Sequence, residues 1–129
     1  MLAAARDKRV RKVVAVAAPT DMIGLYHLYP DQFKMLFFND LVNGKITESE
    51  ARLSFIASSP IHFLEYMPQL QLHHDEGDPF VPVAFSRNFE KEMKQKNKQL
   101  TLYVYNEGIH GFWDDPNFWN RVQQFVMEP

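Results

Sequence analysis

Short apolar runs alternate with amphipathic segments along this chain, and the alternation predicts the order of its elements. Residues 13–18 (VVAVAA), 68–73 (PQLQLH) and 100–105 (LTLYVY) have the composition of strands, and the first is apolar enough to be buried on both faces. Residues 82–97 carry Phe or Met at every fourth position, which is typical of an amphipathic helix. Strands that alternate with helices imply parallel pairing. We therefore expect an α/β protein with three parallel strands and flanking helices.

The segment between the first two predicted strands differs from the rest of the chain in its aromatic content and in its pattern of apolar positions. Residues 21–66 are rich in aromatic side chains but show no strand-like alternation. Phe33, Phe37 and Leu41 lie at helical spacing within this segment. We therefore predict two or three helices over residues 21–58 and a further short helical turn from Ser59-Pro60 to about Tyr66, which together form a helical insert.

The starts of two helices are recognisable in the sequence. Thr47 followed by Glu50 predicts a capping box that opens one helix of the insert. Asp115 followed by Pro116 predicts the start of the last helix of the chain. The positions that we expect these two helices to bury are Leu53, Ile56, Phe118, Val122, Phe125 and Val126.

Composition fits one globular domain over residues 1–129, since 46% of the residues are hydrophobic and 23% are charged. The net charge of −2 and the lack of a long basic run speak against a nucleic-acid partner. No apolar stretch approaches the roughly 20 residues that span a bilayer, so we expect no membrane partner. The chain has no cysteine, which excludes disulfides, thiolate zinc sites and a cysteine nucleophile. We expect no cofactor.

Two polar loops follow predicted strands and carry candidate catalytic residues. Asp78 follows the second strand and His110 follows the third, with one crossover helix between them. The carboxyl ends of parallel strands share one edge of a sheet, so these side chains are expected to meet. A carboxylate bonded to imidazole fixes its tautomer and stabilises the imidazolium, which is the acid–base half of a hydrolytic triad. Alternatively, Asp78-Pro79 is an ordinary turn and His110 an ordinary loop residue.

The stretch HHDEGDPFVP, residues 73–82, also has the residue types of a metal site. His73 and His74 are adjacent at the end of a strand, so their side chains point to opposite faces of the sheet and do not share an ion. The acidic residues that follow lack the spacing of a calcium loop. We therefore predict no metal site in this stretch.

Longer motifs in the same region resemble a known family. The segment PQLQLHHDEGDPFVPVAFSRNFEKEM resembles the acid-bearing segment of the prolyl oligopeptidase-like α/β-hydrolases, and LYVYNEGIHGF resembles their final strand and Gly-x-His-Gly-Phe loop. RVRKVVAVAAPTDM looks like the strand after their nucleophile helix. The resemblance runs nearly the whole chain and implies the C-terminal part of such a catalytic domain. It implies that Asp78 is the acid and His110 the base of a serine peptidase.

The chain departs from the family pattern at two points. Asp75 stands where the family usually has glycine, which is expected to make that turn less tightly defined. The Gly-x-Ser-x-Gly elbow that carries the nucleophile is missing, because no serine of the chain has flanking glycines in that pattern. We therefore expect that the chain starts a few residues after the serine, and that alone it hydrolyses negligibly.

The leading hypothesis is a serine hydrolase, first of all a peptidase, whose complete form cleaves a peptide or a small ester or amide. The alternative is a degenerate, non-catalytic hydrolase module used for binding or assembly. Asp21, Phe112 and Trp113 lie on loops at the same predicted edge and are expected to line the pocket, with packing as the alternative for the two aromatics. The strand at 13–18 would expose an apolar edge, so we expect self-association through it.

Overall fold

The computed structural model describes residues 1–32, 40–107 and 110–128, which form a three-stranded sheet with helices on both faces. The strands are β1 (Lys12–Val16), β2 (Gln69–Asp75) and β3 (Leu100–Tyr105). The α-helices, in chain order, cover α1 (Leu2–Arg6), α2 (Met22–Leu28), α3 (Glu48–Ala57), α4 (Ala84–Gln95) and α5 (Pro116–Met127), and a 3₁₀-helix covers Pro60–Tyr66. Residues 30–32 and 40–42 are also helical. The predicted order of strands and helices is confirmed.

The strands of the sheet run parallel in the order β1-β2-β3, as predicted. β2 lies in the middle, pairs on both sides and is almost entirely buried. β1 pairs, within the described residues, with β2 alone, and its side chains are half-buried. The prediction that both faces of this strand are buried is therefore wrong for the described part of the chain. There β1 is an edge strand, so its side chains have neighbours from one adjacent strand and not from two.

Apolar side chains cover both faces of the sheet. On one face, α4 and the 3₁₀-helix pack against β2 through a cluster that contains Leu64, Met67, Leu70, Leu72, Phe89 and Met93. On the other face, α5 packs against the sheet through Phe118, which joins Tyr105 and Phe112 in a second cluster. The sheet therefore has a hydrophobic layer on each side, and its polar loops are left at the strand ends.

Both predicted helix starts are observed. The Thr47 hydroxyl accepts a hydrogen bond from the Glu50 N–H, and the Glu50 carboxylate accepts one from the Thr47 N–H, which completes the capping box of α3. The Asp115 carboxylate accepts a hydrogen bond from the Asn117 N–H and caps α5. These short-range patterns are visible in sequence because each depends only on residues within one turn.

Helix α3 buries a different face from the predicted one. The sequence predicts that Leu53 and Ile56 point inward, but their side chains are 64% and 42% exposed. The buried residues of α3 are Ala51 and Phe55. Phe55 stacks on Tyr26 of α2, with their ring centroids 5.4 Å apart. The prediction is wrong because the partner helix α2, and not the hydropathy of α3, decides which stripe is covered.

The final helix buries two of its four predicted positions fully and a third in part. Phe118 and Phe125 are buried and Val122 is half-buried, whereas Val126 is exposed. On a helix of 3.6 residues per turn, Val126 lies at the margin of the stripe that the other three form. The prediction for Val126 is therefore wrong, because the apolar stripe is narrower than the run of apolar residues.

The predicted helix through Phe33 and Phe37 lies outside the described residues. Among the helices of the described ranges, none combines the length and the apolar character needed to cross a membrane.

Candidate active site

Strands β2 and β3 end together at one edge of the sheet, because Asp75 pairs with Tyr105 in their last register position. The loop that follows β2 carries Asp78, and the loop that follows β3 carries His110. Nδ1 of His110 lies 2.7 Å from Oδ2 of Asp78. The two residues that the sequence predicts at this edge are therefore in direct contact.

The carboxylate of Asp78 is fully buried and is bonded through both oxygens. Oδ1 accepts hydrogen bonds from the N–H groups of Phe80 at 2.8 Å and Val81 at 2.9 Å, while Oδ2 faces His110. Burial alone would raise the pKa of Asp78, but the hydrogen bonds from Val81, Phe80 and His110 outweigh it and hold the pKa below its usual range. Asp78 is therefore ionised at neutral pH. Asp78 therefore does form a turn, as the alternative interpretation predicts, and the same side chain also binds His110.

The geometry fixes the tautomer of His110. An ionised carboxylate only accepts hydrogen bonds, so Nδ1 of His110 is the donor and carries the proton. The other ring nitrogen, Nε2, then has a free lone pair in the neutral imidazole. The side chain of His110 is 43% exposed, and the ring of Phe80 meets it edge-on at 5.1 Å. A hydroxyl within hydrogen-bond reach of Nε2 would therefore meet a base in the correct tautomer.

His74 supports the Asp78 loop from the buried side. Its Nε2 lies 2.7 Å from the carbonyl oxygen of Val81, which only accepts, so Nε2 is the donor. Its Nδ1 therefore accepts the hydrogen bond from the hydroxyl of Ser86, also at 2.7 Å. The same Nε2 lies 3.4 Å from Oδ2 of Asp78. His74 thus packs on the buried side of the carboxylate that His110 contacts from the exposed side.

His73 faces the opposite side of the sheet, as predicted, and belongs to a closed polar ring. Nε2 of His73 donates to Oε1 of Gln71 at 2.9 Å, and Nδ1 accepts from the hydroxyl of Tyr105 at 2.7 Å. The side chain of Arg121 is hydrogen-bonded to Tyr105, and the amide of Gln71 donates to the backbone carbonyl of Arg121. Burial lowers the pKa of His73 to about 4, and the charge of Arg121 adds to this effect. The ring joins α5 to the sheet.

The two adjacent histidines do not form a metal site in this structure. Each of their ring nitrogens already has a hydrogen-bond partner, and the rings lie on opposite faces of β2. Within the described ranges, no cluster of three or more His, Asp or Glu side chains is arranged to hold a metal ion.

Asp75 ties the two loops together, a role that the sequence did not predict. Its buried carboxylate accepts hydrogen bonds from the N–H groups of Gly77 at 2.8 Å and Glu107 at 2.7 Å. The expectation that an acid here leaves the turn less tightly defined is therefore wrong. Its burial follows from the pairing of Asp75 with Tyr105 at the end of the central strand, where a carboxylate requires hydrogen-bond donors.

The three residues predicted to line a pocket occupy two separate places. Asp21 caps α2 and borders a cavity of about 200 Å³ next to Phe85. Phe112 and Trp113 border a different cavity, of about 360 Å³. Phe112 is only 1% exposed and stacks on Tyr105 with centroids 4.0 Å apart, so it also packs in the core. A role in substrate binding stays a prediction for all three.

The serines of the described chain are engaged elsewhere. Ser86 and Ser59 are buried, and they donate to His74 and to the carbonyl oxygen of Phe55 respectively. The exposed serines, which lie on α3 or at its end, are Ser49, Ser54 and Ser58. None of these hydroxyls is hydrogen-bonded to His110 in the described structure.

Solved structures share this arrangement of elements. A dipeptidyl peptidase 4 from Porphyromonas gingivalis matches 90% of the chain with a TM-score of 0.65 and 18% identity. An acylaminoacyl peptidase from Pyrococcus horikoshii matches 95% with a TM-score of 0.65 and 16% identity. An esterase from Pyrococcus furiosus matches 97% with a TM-score of 0.62 and 19% identity. The chain has part of an α/β-hydrolase fold.

The α/β-hydrolase fold is the extent of what these likenesses show, because all the identities are low. The chain spans 16% of the dipeptidyl peptidase, 20% of the acylaminoacyl peptidase and 48% of the esterase. No family model matches the chain, and no curated protein sequence matches it significantly. In α/β-hydrolases the triad partners follow the chain order serine, acid, histidine, and Asp78 and His110 have the order of the last two.

Proposed function

We propose that this chain supplies the acid and the base of a serine hydrolase, and that the nucleophilic serine lies outside these 129 residues. One observation carries the proposal: a buried, ionised Asp78 is bonded to Nδ1 of a partly exposed His110 at the carboxyl edge of a parallel sheet. Ligands of open α/β sheets bind at that edge. The contact engages Nδ1 and leaves Nε2 of a side chain that is 43% exposed as the proposed base.

The proposed chemistry follows from the tautomer of His110. Nε2 removes the proton from the serine hydroxyl while the serine oxygen attacks the carbonyl carbon of the substrate. Asp78 stabilises the imidazolium that forms, without taking its proton. His110 then returns the proton to the leaving amine or alcohol. The oxyanion donors, like the serine, would come from outside this chain.

Within hydrolases, we propose a peptidase of the prolyl oligopeptidase type. One observation supports this choice over a small-ester hydrolase. The segments DPFVP and GIHGF resemble the acid and histidine loops of that family. The structures that share the fold include both peptidases and an esterase and do not distinguish the two substrate classes. Peptide and ester substrates should therefore be compared in one assay.

The test is to express the chain joined in frame to the coding sequence that precedes it in its gene, and to assay a peptide anilide and a nitrophenyl ester. We expect that sequence to encode a Gly-x-Ser-x-Gly elbow and the joined protein to hydrolyse at least the peptide. His110→Ala and Asp78→Asn should each lower kcat by about 10⁴-fold. When the 129-residue chain alone is treated with a fluorophosphonate, it should show negligible labelling.

Two outcomes would overturn the proposal. Hydrolysis that survives His110→Ala would remove the base from the mechanism. A preceding sequence without any serine elbow would favour the alternative, a non-catalytic module used for binding or assembly. As a control, Glu76→Gln changes a neighbouring exposed acid, which is paired with Arg87, and should leave kcat within about twofold.

A further inference from the structure

The backbone hydrogen bonds that join β2 to β3 stop before they reach the candidate acid and base. The last of these bonds runs from the N–H of Glu76 to the carbonyl oxygen of Tyr105, at 2.8 Å. Asp78 and His110 lie farther along their loops, where no strand pairing holds the described backbones together. Some other interaction must set the separation of the two loops at this level.

The Asp75 carboxylate spans that separation. One oxygen accepts from the N–H of Gly77, next to Asp78, and the other accepts from the N–H of Glu107, on the histidine loop. Both oxygens belong to one planar group, so the two backbones are held at a fixed distance. The side chain is completely buried, so water does not compete for these bonds.

We propose that Asp75 is a positioning residue for the Asp78–His110 pair: its carboxylate clamps the acid loop to the base loop so that Oδ2 of Asp78 and Nδ1 of His110 stay in hydrogen-bond contact. Asp75 touches neither the substrate nor the reacting atoms and acts through backbone geometry. The inference deepens the proposed function and rests on it for its catalytic meaning. The clamp itself is a structural claim that can be measured without any hydrolysis.

The size of the expected effect follows from the geometry of hydrogen bonds. The contact between Asp78 and His110 is 2.7 Å long, and a hydrogen bond is essentially lost when its heavy atoms are about 3.6 Å apart or more. A shift of about 1 Å between the loops therefore breaks it. Misplacement on this scale is associated with about 100-fold losses of rate in enzymes.

The experiment measures the ring tautomers of the histidines in the full 129-residue chain, by long-range proton–nitrogen NMR correlation. In the unaltered chain His110 should be in the Nδ1–H form. Asp75→Asn keeps the shape of the side chain but replaces one acceptor oxygen with a donor group, so one arm of the clamp is lost. Asp75→Gly removes both arms. We expect His110 to leave the Nδ1–H form partly in the asparagine variant and predominantly in the glycine variant.

His73 serves as the internal control. It lies on the same strand, and its tautomer is set by Gln71 and Tyr105 on the opposite face of the sheet from His74. His74 is not a control, because its Nε2 donates to Val81 on the Asp78 loop. A positioning role changes His110 and leaves His73 unchanged. A general loss of structure changes all the histidines together, and this result would overturn the proposal. A His110 that stays in the Nδ1–H form in both variants would overturn it equally.

The matched control is Glu76→Gln, which removes the same charge from the adjacent, exposed position and should leave the tautomer of His110 unchanged. The complete hydrolase gives a second readout, in which Asp75→Asn should lower kcat by about 100-fold and leave KM unchanged. An unchanged kcat would show that the clamp has no catalytic consequence. If the proposed hydrolase function is wrong, hydrolysis will instead survive His110→Ala. The NMR result will not be altered.

Discussion

The histidines of this chain have different hydrogen-bond partners and different burial, although two of them are adjacent in sequence. His73 is sealed between the sheet and α5, where both ring nitrogens are bonded to neutral groups and Arg121 lies close by. His110 lies at the surface beside a carboxylate that is ionised. The first environment holds the imidazole neutral, and the second makes Nδ1 of His110 a hydrogen-bond donor.

Stability should depend on pH through His73. Its pKa in the folded chain is about 4, against 6.5 for the unperturbed group, so between these values the unfolded chain binds a proton that the folded chain does not. The full contribution of His73 is present above about pH 6.5 and is lost as the pH falls towards 4. The free energy of unfolding should drop by about 3 kcal/mol over that interval.

Urea unfolding of the chain and of His73→Gln at about pH 7, 6, 5 and 4 checks this prediction. The glutamine variant lacks the titrating group, so its stability should fall less steeply below pH 6.5 than that of the unaltered chain. Equal slopes for the two proteins would mean that His73 is free to take up a proton in the folded state.

At the residue scale, the contact between Asp78 and His110 is predictable from the sequence, whereas the residue that joins their loops is not. Asp78 and His110 each follow a strand that is recognisable from apolar residues alone, so their edge of the sheet follows from the sequence. The same apolar pattern ends β2 at His73 and assigns Asp75 to a loop. The strand continues to Asp75 only because Tyr105 of β3 pairs with it, and such pairing is not visible in a run of His, His and Asp.

At the scale of elements, the strands are predicted more reliably than the helix faces. β3 has the predicted bounds, and β1 and β2 each differ from prediction by one or two residues. The predicted face of α3 is wrong, because both of its apolar stripes have helical spacing and only the neighbouring helix α2 distinguishes them. Sequence periodicity shows that a helix has a buried face, but the packing partner decides which one it is.

The corrected face of α3 makes a direct prediction about stability. Phe55→Ala removes a buried ring that stacks on Tyr26 and should cost about 3 kcal/mol in the free energy of unfolding. Leu53→Ala, two positions away and 64% exposed, should cost less than about 0.5 kcal/mol. Denaturant midpoints of the two variants decide between the faces, and a larger loss for Leu53→Ala than for Phe55→Ala would contradict the observed orientation of α3.

At the scale of the whole molecule, the edge strand β1 is the feature with the largest consequence for solution behaviour. Arg11 accepts a hydrogen bond from Gln69, and Ala17 donates one to His73, so the odd-numbered residues of this stretch bond to β2. In a parallel ladder the alternate residues, among them Val14, direct their N–H and C=O groups away from β2. Within the described residues no strand receives them, which leaves an edge that another chain can join.

We expect the free chain to self-associate through this edge. Light scattering after size-exclusion chromatography should give masses above 15.2 kDa that rise with concentration. Val14→Pro removes an outward N–H without removing a bond to β2, and should shift the chain towards the monomer. Val14→Ala keeps the N–H and is the matched control. A monomer at all concentrations, or association unaffected by the proline, would contradict the edge as the contact.

Asp78 and His110, the candidate acid and base, lie on the loops that follow the two strands of one β2-α4-β3 unit. This placement affects how the pair comes together during folding. Their contact closes a loop within a single supersecondary unit, so its entropy cost is modest. The contact can therefore form before distant parts of a chain are in place. The Asp78–His110 pair should therefore assemble when that unit folds, whether or not a nucleophile is yet in place. Under the proposed function, this unit would carry the acid and the base of a split hydrolase, whose activity would appear only when a separate serine-bearing piece docks.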